Sequence, residues 1–188
     1  MWFEQILREE TGCATYMVGS LESDECAVFD PLWDITPYLQ MAKKKKAQIK
    51  YVIDSHSHAD HVSGARRLAL ATKAELILPI LSDIEYKDEA TLVDDGYQIR
   101  MGEVELQMLH TPGHRPEQMS LLVTDHSRGD EPWCVLTADF LLVGDVARPD
   151  LAQGGEEGAR VIFDKALPRL NALPDFVEVY PGHVAGST

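Results

Sequence analysis

The chain has 188 residues, of which 45% are hydrophobic and 26% are charged. This composition is typical of one soluble globular domain, long enough to bury a sizeable core. The formal net charge of −14 argues against nucleic acid as the main partner, because phosphate binding depends on a basic surface. The first residues contain no basic region and no long apolar stretch, so we expect neither a secretory signal nor a membrane span. The three scattered cysteines favour reduced thiols and a cytoplasmic location.

The spacing of apolar residues and turn residues predicts a chain of mixed α and β structure. Predicted strands in the first half cover residues 2–7, 14–18, 26–30, 50–54 and 75–79. Helices are predicted from Asp34 or Thr36 to Ala42, followed by the basic run Lys43 to Lys46, and from Val62 to Thr72. The second half predicts strands over 97–100, 104–109, 119–124 and 133–137, a hairpin loop over 128–132 and a closing helix over 156–173.

The most informative motif follows the predicted strand 50–54. It places His56, His58, Asp60 and His61 within six residues, directly after an apolar run. His56 and His58 alternate, so an extended backbone would direct both side chains to the same side. Imidazole and carboxylate ligands suit Zn, Fe or Mn, so this density of them predicts a metal site.

Other residues with ligand chemistry stand at the ends of later apolar runs. They are His110 and His114, then Asp139 in Thr137-Ala138-Asp139, and finally His183 in Tyr180-Pro181-Gly182-His183. Strand ends that converge at one edge of a sheet sandwich would bring these residues to the first cluster.

The order of these motifs resembles the metallo-β-lactamase superfamily, beginning with an early aspartate, Asp30. The resemblance implies an α/β fold, a four-layer αββα sandwich, formed by a single domain over residues 1–188. It also implies one metal position with His56, His58 and His114, and a second with Asp60, His61 and His183, with Asp139 between them. A dinuclear hydrolase of this type, similar to glyoxalase II, would activate a water to cleave a thioester.

A second resemblance, to persulfide dioxygenases fused to rhodanese domains, explains more of the sequence. It rests on Phe140 to Leu151, His110 to His114 and Tyr180 to Ser187. It implies one Fe(II) per chain, with zinc as a substitute, a thiol persulfide and O₂ as substrates, and sulfite and the thiol as products. A rhodanese domain or protein and a second copy of the chain are further expected partners.

The same resemblance assigns roles to individual residues. His56, His114 and Asp139 would hold the iron, a set of ligands that leaves positions open for O₂ and sulfur. The residues that would orient these ligands and hold water are His58, Asp60, His61 and His183. Arg148 matches an arginine that contacts the thiol carrier, and the alternative for Arg148 is an ion pair with Asp145 or Asp150.

Several expectations concern residues other than the predicted metal ligands. His110 is expected either to support the metal ligands or to be structural. His126 is expected to be exposed in a polar loop. Asp30 is expected to accept hydrogen bonds beneath residues 56–61, which we call the metal loop. Cys26 and Cys134 are expected in the core, and Asp145 and Asp150 to shape their loop.

Two departures from the family pattern put the site in doubt. Ala138 replaces a usual glycine, and the chain stops shortly after His183, where relatives continue. This ending is expected to leave His183 mobile and to favour a single metal. A third hypothesis follows, that of a metal-binding or interaction module without turnover.

Overall fold

The computed structural model describes residues 1–150 and 154–184. Leu151 and residues 185–187, which belong to the segments singled out above, lie outside this range. Within the described residues, no helix combines the length and the apolar character that crossing a bilayer requires.

Two large sheets form the centre of the molecule. The first sheet has six strands in the order β1 to β6 along the chain, and β3 to β6 are parallel to one another. Its strands are β1 Trp2–Arg8, β2 Cys13–Gly19, β3 Glu25–Phe29, β4 Gln48–Ile53, β5 Glu75–Pro79 and β6 Thr91–Val93.

The second sheet has five strands in the order β13-β10-β9-β8-β7. They are β7 Gln98–Met101, β8 Val104–His110, β9 Met119–Asp125, β10 Cys134–Ala138 and β13 Glu178–Pro181. A small hairpin of β11 Leu141–Leu142 and β12 Asp145–Val146 follows β10.

Helices cover the outer faces of both sheets. The helical elements are α1 Thr36–Lys45, α2 Ala65–Thr72, a 3₁₀ turn Lys87–Glu89, α3 Gly155–Val161, a π-helical turn Ile162–Ala166 and α4 Leu167–Asn171. Tyr38 and Leu68 of α1 and α2 pack on the outer face of the first sheet. Leu170 of α4 packs on Leu122 and Val135 of the second sheet. The layers therefore follow the order α, β, β, α, and the predicted sandwich is confirmed.

The main core lies between the two sheets, where side chains alternate in and out along each strand. Phe29 and Ile53 of the first sheet meet Leu106, Met108 and their neighbours on the second. Cys134 is buried in this core and Cys26 in the core under the first pair of helices, so the expectation for both cysteines is confirmed. Alternation of this kind is why the strands could be predicted from the sequence.

The structure corrects the predicted start of α2. The helix begins at Ala65 and not at Val62, because Ser63 forms a β-bridge with Leu32 and its Oγ accepts a hydrogen bond from Ala65 N. Gly64 allows this approach, since a Cβ there would stand 2.0 Å from Leu32 O.

The closing helix is not uniform. Its first and last parts are α-helical, and the π-helical turn between them ends two residues before Pro168. Proline has no N–H and its ring clashes with the carbonyl four residues back, which is Asp164 in this turn. The three short strands β6, β11 and β12 were not predicted, whereas the hairpin loop 128–132 between the antiparallel strands β9 and β10 is confirmed.

The topology explains where the polar residues gather. The strands β3, β4, β8, β10 and β13 all end at the same edge of the sandwich, and each is followed by a residue with ligand chemistry. This edge carries the candidate site.

Candidate metal centre

Three predicted ligands from three separate strand ends meet at one point. Asp139 Oδ2 lies 3.7 Å from His56 Nε2 and 3.7 Å from His114 Nε2. The rings of the two histidines stand nearly perpendicular, with their centroids 4.9 Å apart. One ion with bonds of about 2.0–2.2 Å can bridge atoms at these separations. The structure therefore brings His56, His114 and Asp139 into an arrangement that suits one metal ion.

A chain of hydrogen bonds fixes the orientation of His56. Ser55 Oγ donates to Asp30 Oδ2 at 2.8 Å and lies 2.7 Å from His56 Nδ1. Since the serine proton points to Asp30, Nδ1 of His56 must donate to the serine oxygen. Nε2 then carries a lone pair, and a partner of this kind is how proteins orient metal-binding imidazoles.

Asp30 accepts hydrogen bonds beneath the metal loop, as expected. Its Oδ1 receives the Ser55 N–H at 2.6 Å and lies 3.3 Å from His58 Nε2. Asp30 has a φ of 52°, a left-handed conformation that aspartate tolerates.

His56, His114 and Asp139 form a triangle, and burial keeps the two imidazoles of this triangle neutral. It lowers the pKa of His56 well below its ordinary value, and the neighbouring histidines add to this effect. It also lowers the pKa of His114, and the carboxylate of Asp139 opposes that shift only in part. Neutral imidazoles bind a metal without first losing a proton.

The metal loop, residues 56–61, carries a second group of possible ligands beside His56, His114 and Asp139. The rings of His58 and His61 lie 4.3 Å apart, and His61 Nδ1 lies 3.1 Å from both oxygens of Asp60. Ligand atoms of His58, Asp60 and His61 all stand within 4.8 Å of one another. Burial lowers the pKa of His58, but the carboxylates of Asp30 and Asp54 outweigh this effect and raise the pKa to about 9.

Backbone hydrogen bonds hold both neighbours of His183, which opposes the mobility expected from its place near the end of the chain. Ala14 N donates to Gly182 O at 2.7 Å, and Val184 N donates to Gly12 O at 3.0 Å. These bonds pair the end of β13 with the start of β2, and a chain end tied down in this way stays ordered. His183 Nε2 lies 3.3 Å from Asp139 Oδ1 and 3.4 Å from Asp60 Oδ2.

The residues present fit a transition metal. Within the described part of the chain, the buried Nε2 atoms of His56 and His61 have no hydrogen-bond partner. Buried polar atoms are normally paired, and unpaired ones need an explanation such as an ion. Nitrogen and carboxylate donors suit iron, zinc or manganese.

Sequence reasoning missed Cys13 at this centre. The cysteine is the first residue of β2, and its Sγ lies 3.9 Å from Asp60 Oδ2. No local motif marks it, because the contact joins positions that are 47 residues apart.

A cleft of about 690 Å³ opens beside the centre, next to the second group of polar residues. Asp60, His61 and His183 line its inner end, and Trp33 and Val62 are exposed at its rim. A cleft of this size accommodates a small molecule with part of its carrier.

Arg148 lies in the loop that follows β12, and not among the residues of the candidate centre. Its guanidinium is 54% exposed and bonds both oxygens of Asp150, at 3.3 and 2.8 Å. It does not contribute to the cleft lining found among the described residues. The ion pair that the sequence offered as an alternative is therefore present, and Asp150 shapes the loop as expected. Asp145 does so too, since its Oδ1 accepts from Val146 N at 2.8 Å.

The other two histidines lie outside the centre. His110 Nε2 donates to Pro116 O at 2.8 Å, so its structural role is confirmed. His126 is not simply exposed, because its side chain is only 22% accessible and pairs with Asp130 and Glu105. The packing of β8 against β9 brings Glu105 to it.

Ala138 takes the backbone conformation that its position demands. Its φ is 46°, a left-handed conformation that costs alanine roughly 1–2 kcal/mol. Asp139 nevertheless reaches His56 and His114, so the alanine does not displace it from the centre.

Several known proteins are similar to this chain in sequence or in fold. The mitochondrial persulfide dioxygenase ETHE1 of Homo sapiens is 30% identical over 179 residues, which are 93% of this chain and 65% of that protein. The hydroxyacylglutathione hydrolase of Polaromonas sp. is 31% identical over 169 residues, which are 89% of this chain and 60% of that protein. The chain thus spans slightly less than two thirds of the length of these curated relatives.

The fold and the sequence profile lead to one family. The crystal structure of ETHE1 from Myxococcus xanthus superposes with a TM-score of 0.81 and 29% identity, covering 100% of this chain and 78% of that one. The profile of the metallo-beta-lactamase superfamily matches residues 8–183, which include every residue of the centre. The chain therefore belongs to the metallo-beta-lactamase superfamily.

Proposed function

We propose that the protein is an iron-dependent persulfide dioxygenase. One persulfide, one O₂ and one water give one thiol, one sulfite and two protons; the S–S bond breaks and the terminal sulfur supplies four electrons to O₂. The observation that carries the proposal is the triangle of His56, His114 and Asp139, with two neutral imidazoles and one carboxylate. The similarity to persulfide dioxygenases supports the same reaction.

The ligand set suits this chemistry. His56, His114 and Asp139 would hold an Fe(II) ion with two imidazoles and one carboxylate, a ligand set that in proteins leaves room at the iron for O₂ and a substrate. Iron bound there supplies the activation of O₂, and zinc would fill the position without that redox chemistry.

The surrounding residues position the substrate. His183 and Asp60 stand where the cleft meets the centre and form a charged pair at 3.4 Å. Hydrogen bonds to Asp139 and Asp60 raise the pKa of His183 to about 10, so His183 is a proton donor where the cleft meets the centre. We also propose that Arg148 contacts the thiol carrier, since a carboxylate of the carrier can replace the exposed Asp150.

A thioester hydrolase is the second candidate, and one observation favours it. Asp139 directs Oδ2 to His56 and His114 but Oδ1 to His183, as a carboxylate between two metals would. The hydroxyacylglutathione hydrolases among the relatives support this reading. It requires Asp60, His61 and His183 to bind a second metal, with Asp139 between the two metals.

An oxygen electrode distinguishes the two functions. Iron-loaded protein prepared without oxygen is mixed with glutathione persulfide or coenzyme A persulfide, and O₂ uptake is compared with sulfite formed. We expect one O₂ consumed per sulfite, and loss of both in Asp139→Ala. Cleavage of a glutathione thioester by protein with two metals, without O₂ uptake, would replace the proposal with the hydrolase. Tight iron binding with neither activity would leave the metal-binding module.

A further inference from the structure

We propose that Trp33 selects the thiol carrier of the substrate. With Val62 it forms an apolar pair beside the metal loop, and this pair binds the part of the carrier that lies next to the sulfur. It favours a carrier that is uncharged there, such as the amide arm of pantetheine, over glutathione, whose carboxylates lie a few bonds from the sulfur. The inference rests on the proposed function only in taking a thiol persulfide as the substrate.

The two apolar side chains are exposed at a concave site. Trp33 is 56% exposed and Val62 is 67% exposed, and both line the cleft of about 690 Å³. Single exposed apolar residues are common, but two together in a cleft are typical of a ligand contact. His183 lines the same cleft, and its Nε2 lies 3.3 Å from Asp139 Oδ1. The apolar pair therefore shares a cleft with a residue that contacts the carboxylate of the triangle.

The backbone sets Trp33 and Val62 opposite each other. Leu32 and Ser63 form an antiparallel β-bridge, and the same register continued by one residue places Trp33 opposite Val62. Side chains directly opposite in an antiparallel pair lie on the same face. Gly64 permits the close approach of the two segments, since a Cβ there would stand 2.0 Å from Leu32 O. The apolar pair is therefore built into the fold beside the metal loop.

Arg67 holds the indole of Trp33 in place. Its guanidinium carbon lies 5.0 Å from the centroid of the Trp33 ring, and its Nη1 donates to Trp33 O at 3.3 Å. A side chain that is already held loses little conformational freedom when a ligand binds, so more of the contact energy appears as affinity. An exposed indole held in this way is a preformed binding surface.

The charges around the pair oppose an anionic carrier. A second groove, of about 660 Å³, shares Arg8, Glu10 and Trp33 with the cleft. Among the residues that the structure describes, Arg8 is the only lysine or arginine that lines either groove, and its Nε lies 3.5 Å from Glu10 Oε2. The carboxylates that line the two grooves belong to Glu9, Glu10, Asp34 and Asp60. Carboxylates next to the carrier's sulfur would meet charges of the same sign, whereas an uncharged amide arm would not.

Calorimetry with thioether probes measures this contact without turnover. Iron-loaded protein, kept free of oxygen, is titrated with S-methylpantetheine and with S-methylglutathione, whose methylated sulfur cannot form a thiolate bond to the metal. We expect wild type to bind S-methylpantetheine at least tenfold more tightly than S-methylglutathione. Trp33→Ala should lower the affinity for S-methylpantetheine about tenfold, the contribution of one aromatic contact, and that for S-methylglutathione less than threefold.

Three further variants complete the test. Phe163→Ala is the matched control, because Phe163 is an aromatic residue that is 73% exposed and lines neither groove, so both affinities should stay unchanged. Val62→Ser should weaken S-methylpantetheine binding about threefold, and it serves if circular dichroism shows that Trp33→Ala does not fold. Glu10→Gln should raise the affinity for S-methylglutathione about threefold and leave that for S-methylpantetheine unchanged.

Turnover gives a second readout. With pantetheine persulfide as substrate, Trp33→Ala should raise KM about tenfold and change kcat less than twofold, because the indole contacts the carrier and not the reacting sulfur.

Three outcomes would overturn the proposal. They are wild-type protein that does not bind S-methylpantetheine, wild-type protein that binds S-methylglutathione as tightly or more tightly, and an S-methylpantetheine affinity that is the same in folded Trp33→Ala and in Phe163→Ala. The binding measurements do not depend on O₂ uptake. Binding that requires Trp33, in a protein that consumes no O₂ with either persulfide, would refute the dioxygenase and leave the carrier contact in place.

Discussion

Each end of the sandwich holds an acidic side chain with little exposure to solvent, but the groups that surround the two acids differ. At the metal end, Asp139 faces His56, His114 and His183, and the buried Nε2 atoms of His56 and His61, among the described residues, have no hydrogen-bond partner. At the opposite end, Glu103 between β7 and β8 is enclosed by donors from the turn between β2 and β3.

The partners of Glu103 satisfy both of its oxygens. Ser20 Oγ donates to Oε2 at 2.6 Å, Leu21 N donates to Oε1 at 2.8 Å, and the Met1 amino group lies 2.8 Å away. A buried acid with a full set of donors stabilises the fold. Buried ligands without partners contribute little to folding and are completed by a metal. The comparison therefore predicts that mutations at the two ends have opposite effects on stability and on function.

The largest effect is expected from Asp139→Ala. This change removes the only carboxylate of the proposed triangle, so iron binding and turnover should both be lost. The free energy of unfolding of the metal-free protein should change by only about 1 kcal/mol, within the usual range for a single substitution. Metal analysis, O₂ uptake and thermal melting test the three statements together.

His126→Ala is the control for that experiment, because His126 lies outside the centre and pairs with surface acids. It should change neither iron content nor turnover. Equal losses in the two variants would show that the effect is misfolding, and would contradict the sorting of the histidines.

Glu103→Gln should show the reverse pattern. Burial raises the pKa of Glu103, but the Met1 amino group and the bonds from Ser20 and Leu21 outweigh it and lower the pKa to about 2. The charged form therefore stabilises the fold above the unfolded pKa of about 4.5, and this stability is lost as the pH falls towards 2. Wild type should exceed the variant by about 3 kcal/mol at pH 7, with unchanged iron binding.

Urea unfolding of both proteins between pH 7 and pH 2 measures this difference. The two free energies of unfolding should converge as the pH falls through the range from about 5 to 2. A constant difference across that range would mean that the charge of Glu103 is not what stabilises this end.

Gly182→Ala tests how tightly the backbone at Gly182 packs against Asp139. A Cβ at Gly182 would lie 2.6 Å from Asp139 Oδ1 and 3.0 Å from the carbonyl carbon of Ala138. Asp139 must therefore move, and we expect iron affinity to fall about 100-fold, the upper range for changes that disturb a ligand's support. Competition with a chelator measures the affinity, and an unchanged value would show that Asp139 is not a ligand.

Ser55→Ala should have the smallest effect at the centre. It leaves His56 in place but removes the oxygen that accepts from its Nδ1. We expect iron affinity to fall about tenfold, the lower range for the loss of such a partner. Ser55→Thr keeps the hydroxyl and should restore the affinity, which a role of Ser55 in packing alone would not predict.

Local patterns predicted much of this architecture. The strands follow from alternating apolar residues, which adjacent positions reveal. The choice of His56, His114 and Asp139 as proposed ligands came from polar residues at strand ends together with the resemblance to a known family. Contacts between distant segments were not predictable in this way. The bridge between Cys13 and His183 joins the two ends of the chain, and it holds a histidine that its position alone suggested was mobile.

The segment after Asp139 shows a second limit of local patterns. Residues 141–146 form a two-stranded hairpin too short for periodicity to reveal. Likewise, Gly113 is needed because Ile162 of the π-helical turn packs against it, and a Cβ there would lie 2.1 Å from Ile162 Cγ1. Such contacts depend on the packed structure.

The most direct test of the account is the number of iron ions per chain after anaerobic reconstitution and removal of unbound metal. We predict one iron per chain in wild type, less than a tenth of that in Asp139→Ala, and the wild-type value in Glu103→Gln. Two irons per chain, or equal iron in wild type and Asp139→Ala, would contradict a single iron site built on His56, His114 and Asp139.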